Sequence, residues 1–240
     1  MESKKTVTTW RLALWAIAAA APPLAARATD LSYTFLDFES LDNTVEKTAT
    51  QSPVPGQTVQ IQTSGGRGIA AAGSYLFGER FYFAGGYKSS VIDYSGVVTS
   101  PLATDHATGT FDLVGSNLAL GYLHKFGDRL DFTADIGYES ATYDFGSIAG
   151  ENFDLKDSGV GARIGFRWNP RKPFELFVTG HYSPVEKADL TGHRFESGTS
   201  VSAGVRWYFF EALGVGIEYE SGDVDVTTIS MRFNFGNLPL

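Results

Sequence analysis

Apolar and polar residues alternate with period two along most of the chain. From Leu130 to Tyr138 one face reads Leu130, Phe132, Ala134, Ile136 and Tyr138, and the other reads Asp131, Thr133, Asp135 and Gly137. A helix cannot keep alternate residues on one face, so this pattern predicts a strand. Ten segments follow the same rule, at about 30–39, 66–77, 81–92, 113–126, 129–141, 157–168, 174–184, 197–209, 213–220 and 225–235. Short connections separate some of them. Phe77-Gly78-Glu79-Arg80 and Phe126-Gly127-Asp128-Arg129 are near copies, each with a glycine available for the positive φ of a tight turn. Asn169 to Pro173 and Phe210-Glu211-Ala212 are also short, whereas 40–65, 93–112, 142–156 and 185–196 are longer. The last connection, Ser221 to Val224, is short and breaks the alternation of lengths.

The hairpins repeat. An apolar residue is followed six positions later by a tyrosine in Phe81/Tyr87, Phe132/Tyr138, Leu176/Tyr182 and Leu213/Tyr219. The tyrosines lie 51, 44 and 37 residues apart, so the loops shorten while the hairpin stays constant. A solenoid would repeat at fixed period; a meander of antiparallel strands need not.

Alternation alone also fits a water-soluble β-sandwich. Three features favour a membrane-spanning barrel instead. Aromatic residues band at two levels. Phe77, Phe81, Phe126, Trp168, Phe174, Trp207, Phe209 and Phe235 fall beside the short turns, and Tyr87, Tyr138, Tyr182 and Tyr219 fall toward the other end. Such girdles suit the two interfaces of a bilayer. Apolar faces such as Val160, Ala162, Ile164, Phe166, Trp168 and Val201, Ala203, Val205, Trp207, Phe209 carry no charge. The opposite face mixes charges with Gly86, Gly121, Gly137, Gly161, Gly165, Gly204, Gly214 and Gly216, small enough for a narrow interior.

The N-terminus supports export. Lys4, Lys5 and Arg11 precede an apolar run from Leu12 to Ala21, and Ala26-Arg27-Ala28 places small residues where a signal peptidase cuts. The run is too short to span a bilayer and ends at Pro22-Pro23. The expected division is therefore a signal peptide at 1–28 and a barrel domain at 29–240. Cleavage after Ala28 leaves 15 basic against 26 acidic residues, a net charge of −11 that argues against a nucleic-acid partner. The chain has no cysteine, which excludes disulfides and thiolate metal sites. No later segment offers 18 consecutive apolar residues, so membrane insertion requires a closed barrel, because an open sheet leaves backbone groups unpaired in lipid.

The ordered strands resemble the small outer-membrane β-barrel proteins of Gram-negative proteobacteria. The likeness is to the OmpA-transmembrane and OmpX-like superfamily, and especially to ten-stranded relatives of the outer membrane protein beta-barrel domain type. The segments that carry it are Leu31-Ser32-Tyr33-Thr34-Phe35, Gly73-Ser74-Tyr75, Ala84-Gly85-Gly86-Tyr87, Leu118-Ala119-Leu120-Gly121-Tyr122, Asp135-Ile136-Gly137-Tyr138-Glu139, Phe174-Glu175-Leu176 and Arg232-Phe233-Asn234-Phe235. The resemblance implies an all-β, transmembrane, antiparallel up-and-down barrel of ten strands, with eight as the alternative, located in the cell outer membrane. It implies outer-membrane lipid and lipopolysaccharide as surroundings, the barrel-assembly machinery as a partner during biogenesis, and a monomer. In the family, assembly is signalled by a final strand ending in an aromatic. Thr227, Ile229, Met231, Phe233 and Phe235 match it, but the tail Gly236-Asn237-Leu238-Pro239-Leu240 follows.

The inward phase collects the candidate chemistry. Its charges are Lys88, Lys125, Arg163, Arg167, Arg206 and Arg232 against Asp131, Asp135, Glu139, Glu175, Glu218 and Glu220. Equal numbers suggest an internal ion-pair network filling the lumen rather than a pore selecting one ion sign. The expected membrane-interface aromatics are Phe81, Tyr87, Tyr138, Trp168, Tyr182, Trp207, Tyr219 and Phe235. His181-Tyr182-Ser183 is similar in spacing to the His-x-Ser of outer-membrane lipid A deacylases, where a Ser–His–acid arrangement attacks an ester. Its third member would be Glu186 or Glu196. The pair points inward, and the same slot elsewhere reads Gly86-Tyr87-Lys88 and Gly137-Tyr138-Glu139, so no catalytic residue is assigned. His106, His124 and His193 stand alone without metal spacing, and no metal or cofactor is expected. The acids Asp42, Glu46, Asp93, Asp105, Glu151, Asp154 and Asp157 read as solvated loop residues. The leading expectation is a non-enzymatic envelope-integrity or surface-interaction protein. A small passive porin and a lipid A-modifying hydrolase follow it.

Overall fold

The structure, a computed structural model, describes residues 32–44, 48–51, 58–148, 151–189, 194–222 and 224–235. The expected signal peptide and the tail 236–240 lie outside them. Eleven strands form: β1 (Phe35–Thr44), β2 (Thr48–Gln51), β3 (Thr58–Phe77), β4 (Phe81–Thr99), β5 (Thr104–Phe126), β6 (Leu130–Ile148), β7 (Glu151–Arg171), β8 (Phe174–Asp189), β9 (Arg194–Phe210), β10 (Leu213–Ser221) and β11 (Asp225–Asn234). Each pairs antiparallel with its neighbours, and β1 pairs on one side with β11 and on the other with β3. Ten strands thus close into a barrel; β2 continues along the edge of β3 beyond β1, from Thr48↔Gln62 to Gln51↔Val59. Closure pairs every ladder and removes the edges that lipid could not satisfy.

The tight turns after β3, β5, β7 and β9 share one end of the barrel, together with the start of β1 and the end of β11. Gly78 and Gly127 adopt the positive φ expected of them, 67° and 75°. Inward glycines serve a second purpose. A Cβ on Gly121 would lie 2.1 Å from the Tyr82 ring and one on Gly204 2.3 Å from the Phe177 ring. These two inward rings each lie over a glycine of an adjacent strand, which lets a narrow barrel hold them.

Several expected boundaries need correction. The first strand starts at Phe35 rather than near residue 30. Of the connection expected at 93–112, only Ser100–Ala103 lies between strands, and much of 40–65, 142–156 and 185–196 is strand as well. Crossing a bilayer takes about 9–11 tilted residues; β10 and β11 have 9 and 10, whereas β5 has 23. The strands from β3 to β9 therefore continue past the membrane as a projecting wall. The alternation changes sign in this wall, so the apolar-outside rule of the lower barrel does not extend into it. On the lower part of β4 the outward residues Phe81, Phe83 and Tyr87 are apolar or aromatic and exposed. Higher up, Asp93 faces out and Ile92 faces in at 1% exposure. Ile92, Phe111, Ala141, Tyr143 and Leu155 meet inside the projecting wall, with Phe111 stacked on Tyr143 at 5.4 Å. The lower barrel is apolar outside and polar inside; the wall is the reverse, as water on its outer face requires.

One repeat also departs. Leu213 is buried at 7% exposure, although its counterparts Phe81 and Leu176 face outward. A register shift between Leu213 and Gly214 turns it inward.

Candidate functional site: the barrel interior

Near the tight-turn end, inward positions of neighbouring strands bring charges together. Arg167 on β7 donates to Glu175 on β8 through Nε to Oε1 at 2.9 Å and Nη2 to Oε2 at 3.0 Å. Arg206 on β9 donates to Oε1 at 3.1 Å, and the Tyr208 hydroxyl to Oε2 at 2.6 Å. Arg206 Nη2 also lies 3.6 Å from Asp37 Oδ2 on β1. Arg232 on β11 grips Asp37 through Nε, at 3.1 and 2.9 Å from the two oxygens, and through Nη2. The result is a belt, Arg167–Glu175–Arg206–Asp37–Arg232, running round one half of the wall from β7 to β1. Glu175 is wholly buried. The cations also have aromatic faces: Arg232 lies 3.6 Å over the Phe35 ring and Arg206 5.1 Å over Phe177.

The other half of the wall carries shorter chains of contact. Tyr82 on β4 donates to Asp135 Oδ2 at 3.0 Å, and Arg163 on β7 to Asp135 Oδ1 at 2.9 Å. Tyr33, just ahead of β1, donates to Asp131 Oδ2 on β6 at 3.1 Å. Glu139 on β6 reaches over β7 to β8, where His181 Nε2 lies 2.7 Å from Oε1 and the Ser183 hydroxyl donates to Oε2 at 2.7 Å. Gly161 on β7 makes room, since a Cβ there would stand 2.6 Å from the Glu139 carboxyl carbon.

His181 and Ser183 are therefore brought together with an acid, but it is Glu139 rather than Glu186 or Glu196. The side chain of Glu186 is outside the described residues, and Glu196 is exposed. The Ser183 proton is given to the carboxylate and not to the imidazole. The histidine is thus not placed as the base a nucleophilic serine needs. Ser183 is buried and faces the interior, away from lipid.

The interior holds ten of the twelve charges expected there in contacts of some kind. Glu220 accepts from Ser200 at 2.6 Å and Glu218 hydrogen-bonds Ser202, so these two meet serines rather than cations. Lys88 borders the interior cavity and Lys125 sits on the rim; both are exposed, and neither has an ion-pair partner among the described residues. Asp37, Glu39, Tyr33, Tyr82, Tyr208 and His181 also belong to the interior polar set and are not among the twelve charges read from sequence. Asp37 and Glu39 had a usable signal, because they alternate with the exposed Leu36 and Phe38. The belt borders a cavity of about 450 Å³ that is lined by polar and apolar groups in near-equal measure.

On the outer surface, Phe81, Tyr87, Tyr138, Trp168, Tyr182, Trp207, Tyr219 and Phe235 are all exposed. His106 is exposed, His124 stacks edge-on against Phe126 at 4.6 Å, and His193 lies outside the described residues. Among the described residues no group of three His, Asp or Glu is placed to hold a metal ion.

A closed antiparallel barrel, apolar where lipid would touch it and polar within, has the form of a membrane-spanning β-barrel protein. A solved structure agrees on the fold, and others superpose less closely. The outer membrane protease OmpT from Escherichia coli superposes with a TM-score of 0.54 at 11% identity, over 85% of this chain and 95% of that one. The translocator domain of autotransporter NalP from Neisseria meningitidis gives 0.46 at 13% identity, over 95% of each chain. The attachment invasion locus protein Ail of Yersinia pestis gives 0.38 at 13% identity, over 83% of this chain and 97% of that one. No family model and no curated protein sequence matches the chain.

Proposed function

We propose that the protein is a non-enzymatic outer-membrane barrel that serves envelope integrity or surface interaction, its lumen closed by an internal ion-pair network. The belt from Arg167 to Arg232 carries this reading. Each side chain in it is at most a tenth exposed and each carboxylate is shared by two arginines, so neither carboxylate is free to take up a passing cation. The projecting wall supports a surface role, since it presents polar faces and the fully exposed Leu102 well beyond the membrane. The placement of Ser183 against Glu139 supports the non-enzymatic part. The outer apolar band would sit in lipid and lipopolysaccharide.

A small passive porin is the second reading. The cavity that the belt borders favours it, because a space of that size with polar groups in its lining holds water and small solutes. Single-channel recording in planar bilayers separates the two. The refolded protein is expected to show no steady openings; large, steady conductance would overturn the closed-lumen reading in favour of the porin.

A further inference from the structure

We infer that residues Ser32–Thr34, which precede β1, form a strap that closes the tight-turn mouth of the barrel, and that displacing this strap opens a conducting path. The inference rests on the closed-lumen reading and identifies what completes the closure.

The belt of ion pairs covers only the half of the wall from β7 round to β1. At the same level the other half presents Tyr82 and Leu123, with the side-chain-free Gly121 beneath the Tyr82 ring. Tyr33 fills the gap over this half. It is only 5% exposed although it belongs to no strand, and it packs with Tyr82 and Leu123 in one buried cluster.

The strap is tied at both ends. On its own side of the mouth, the backbone N–H of Phe235 donates to the Thr34 carbonyl at 2.8 Å, and that of Leu76 to Thr34 Oγ1 at 3.2 Å. On the far side, the Tyr33 hydroxyl donates to Asp131 on β6. Arg167 on β7 lies 4.4 Å over the Tyr33 ring and donates through Nη1 to the Ser32 carbonyl at 3.0 Å. Round the ten-stranded ring β6 and β7 are four and five strands from β1, which is the opposite wall. The segment therefore crosses the mouth. Residues ahead of a first strand are usually poorly ordered unless something ties them down; these are tied to the far side of the pore.

The far-side ties are side-chain contacts rather than ladder hydrogen bonds, so the strap can leave without breaking the barrel. Arg167 keeps Glu175 when it goes. Conductance of the refolded chain tests this with Tyr33→Ala and Tyr33→Phe, folding being verified by the shift in gel mobility between unheated and boiled samples. Wild type is expected to stay closed, Tyr33→Ala to open steadily with at least tenfold more conductance, and Tyr33→Phe, which keeps the ring, to stay within twofold of wild type. Tyr33→Cys supplies an independent arm, because the chain has no other cysteine. It is expected to conduct, to close on attachment of a benzyl group by a thiosulfonate reagent, and to reopen with reductant. A folded Tyr33→Ala as silent as wild type, or a Tyr33→Cys indifferent to the benzyl group, overturns the strap while leaving the closed lumen standing. Steady conductance by wild type overturns the closed lumen and the strap together.

Discussion

Glu175 sets the terms at the residue scale. It is a fully buried carboxylate, and three donors converge on it from β7 and β9: Arg167, Arg206 and Tyr208. A buried charge is tolerated only when its partners repay the loss of water. Replacing Glu175 with glutamine keeps the shape and removes the charge, leaving Arg167 with no carboxylate in contact and Arg206 with Asp37 alone at 3.6 Å. The expected cost is about 3–5 kcal/mol, the range for breaking one side of a buried ion pair. Urea unfolding of the barrel refolded into lipid vesicles, followed by the fluorescence of Trp168 and Trp207, reads it. Lys125→Gln in the same assay is expected to change stability by less than about 0.5 kcal/mol, because its charge is exposed and has no ion-pair partner among the described residues. Sequence reading places both residues in one interior set. Period two identifies which way a side chain points, but the depth of each residue along the barrel axis, which separates Glu175 from Lys125, depends on the register of the neighbouring strands. Tyr33 was less legible still. Its alternation with Phe35 reads as the start of a strand, and the contact that takes it off the strand comes from Arg167, 134 residues away and on the opposite wall only after closure.

At the scale of the strand, the useful quantity is the sign of the alternation. Period two marks all ten strands of the barrel, and the positions of the tight turns follow from Gly78 and Gly127. The expected long loops are largely strand, because a membrane strand and its projecting continuation have opposite amphipathicity. At their junction two like residues fall together, as Val91 and Ile92 do on β4, which masks the period. β7 makes the change testable, since Trp168, Phe166, Ile164, Ala162 and Val160 face outward and Lys156 follows on the same face. Ile164 is midway along that apolar stripe and 59% exposed to what would be lipid. Ile164→Arg is expected to cost about 2–4 kcal/mol, the penalty for a cation at the bilayer midplane. Lys156→Glu, eight residues further along the same face, is expected to cost almost nothing because that position faces water. Equal costs at the two positions would mean that the apolar band does not mark the membrane.

For the whole molecule the decisive event is closure, which joins the first strand to the last. The seam is a ladder from Phe35↔Asn234 to Thr44↔Asp225. Phe38 and Phe233 meet edge-on across it at 6.1 Å on the outside, and Asp37 and Arg232, 195 residues apart, meet on the inside. Contacts of such sequence separation form late, because the loop entropy of the intervening chain must be overcome first. The two sides of the inner pair are not equivalent. If Arg232 is replaced by methionine, Asp37 still has Arg206 within 3.6 Å. If Asp37 is replaced by leucine, Arg232 keeps its cation–π contact with Phe35 but has no carboxylate in contact among the described residues, and Arg206 is left with Glu175 alone. Asp37→Leu is therefore expected to destabilise by about 3–5 kcal/mol and Arg232→Met by clearly less. The double variant, whose apolar side chains lie opposite each other in the ladder, is expected to recover part of the loss, because an apolar pair of similar volume can replace a buried ion pair without penalty. A double-mutant cycle from urea midpoints in vesicles measures the coupling. Strictly additive single costs would show that the seam is held by its backbone ladder and outer aromatics alone, with no contribution from the charge pair inside it.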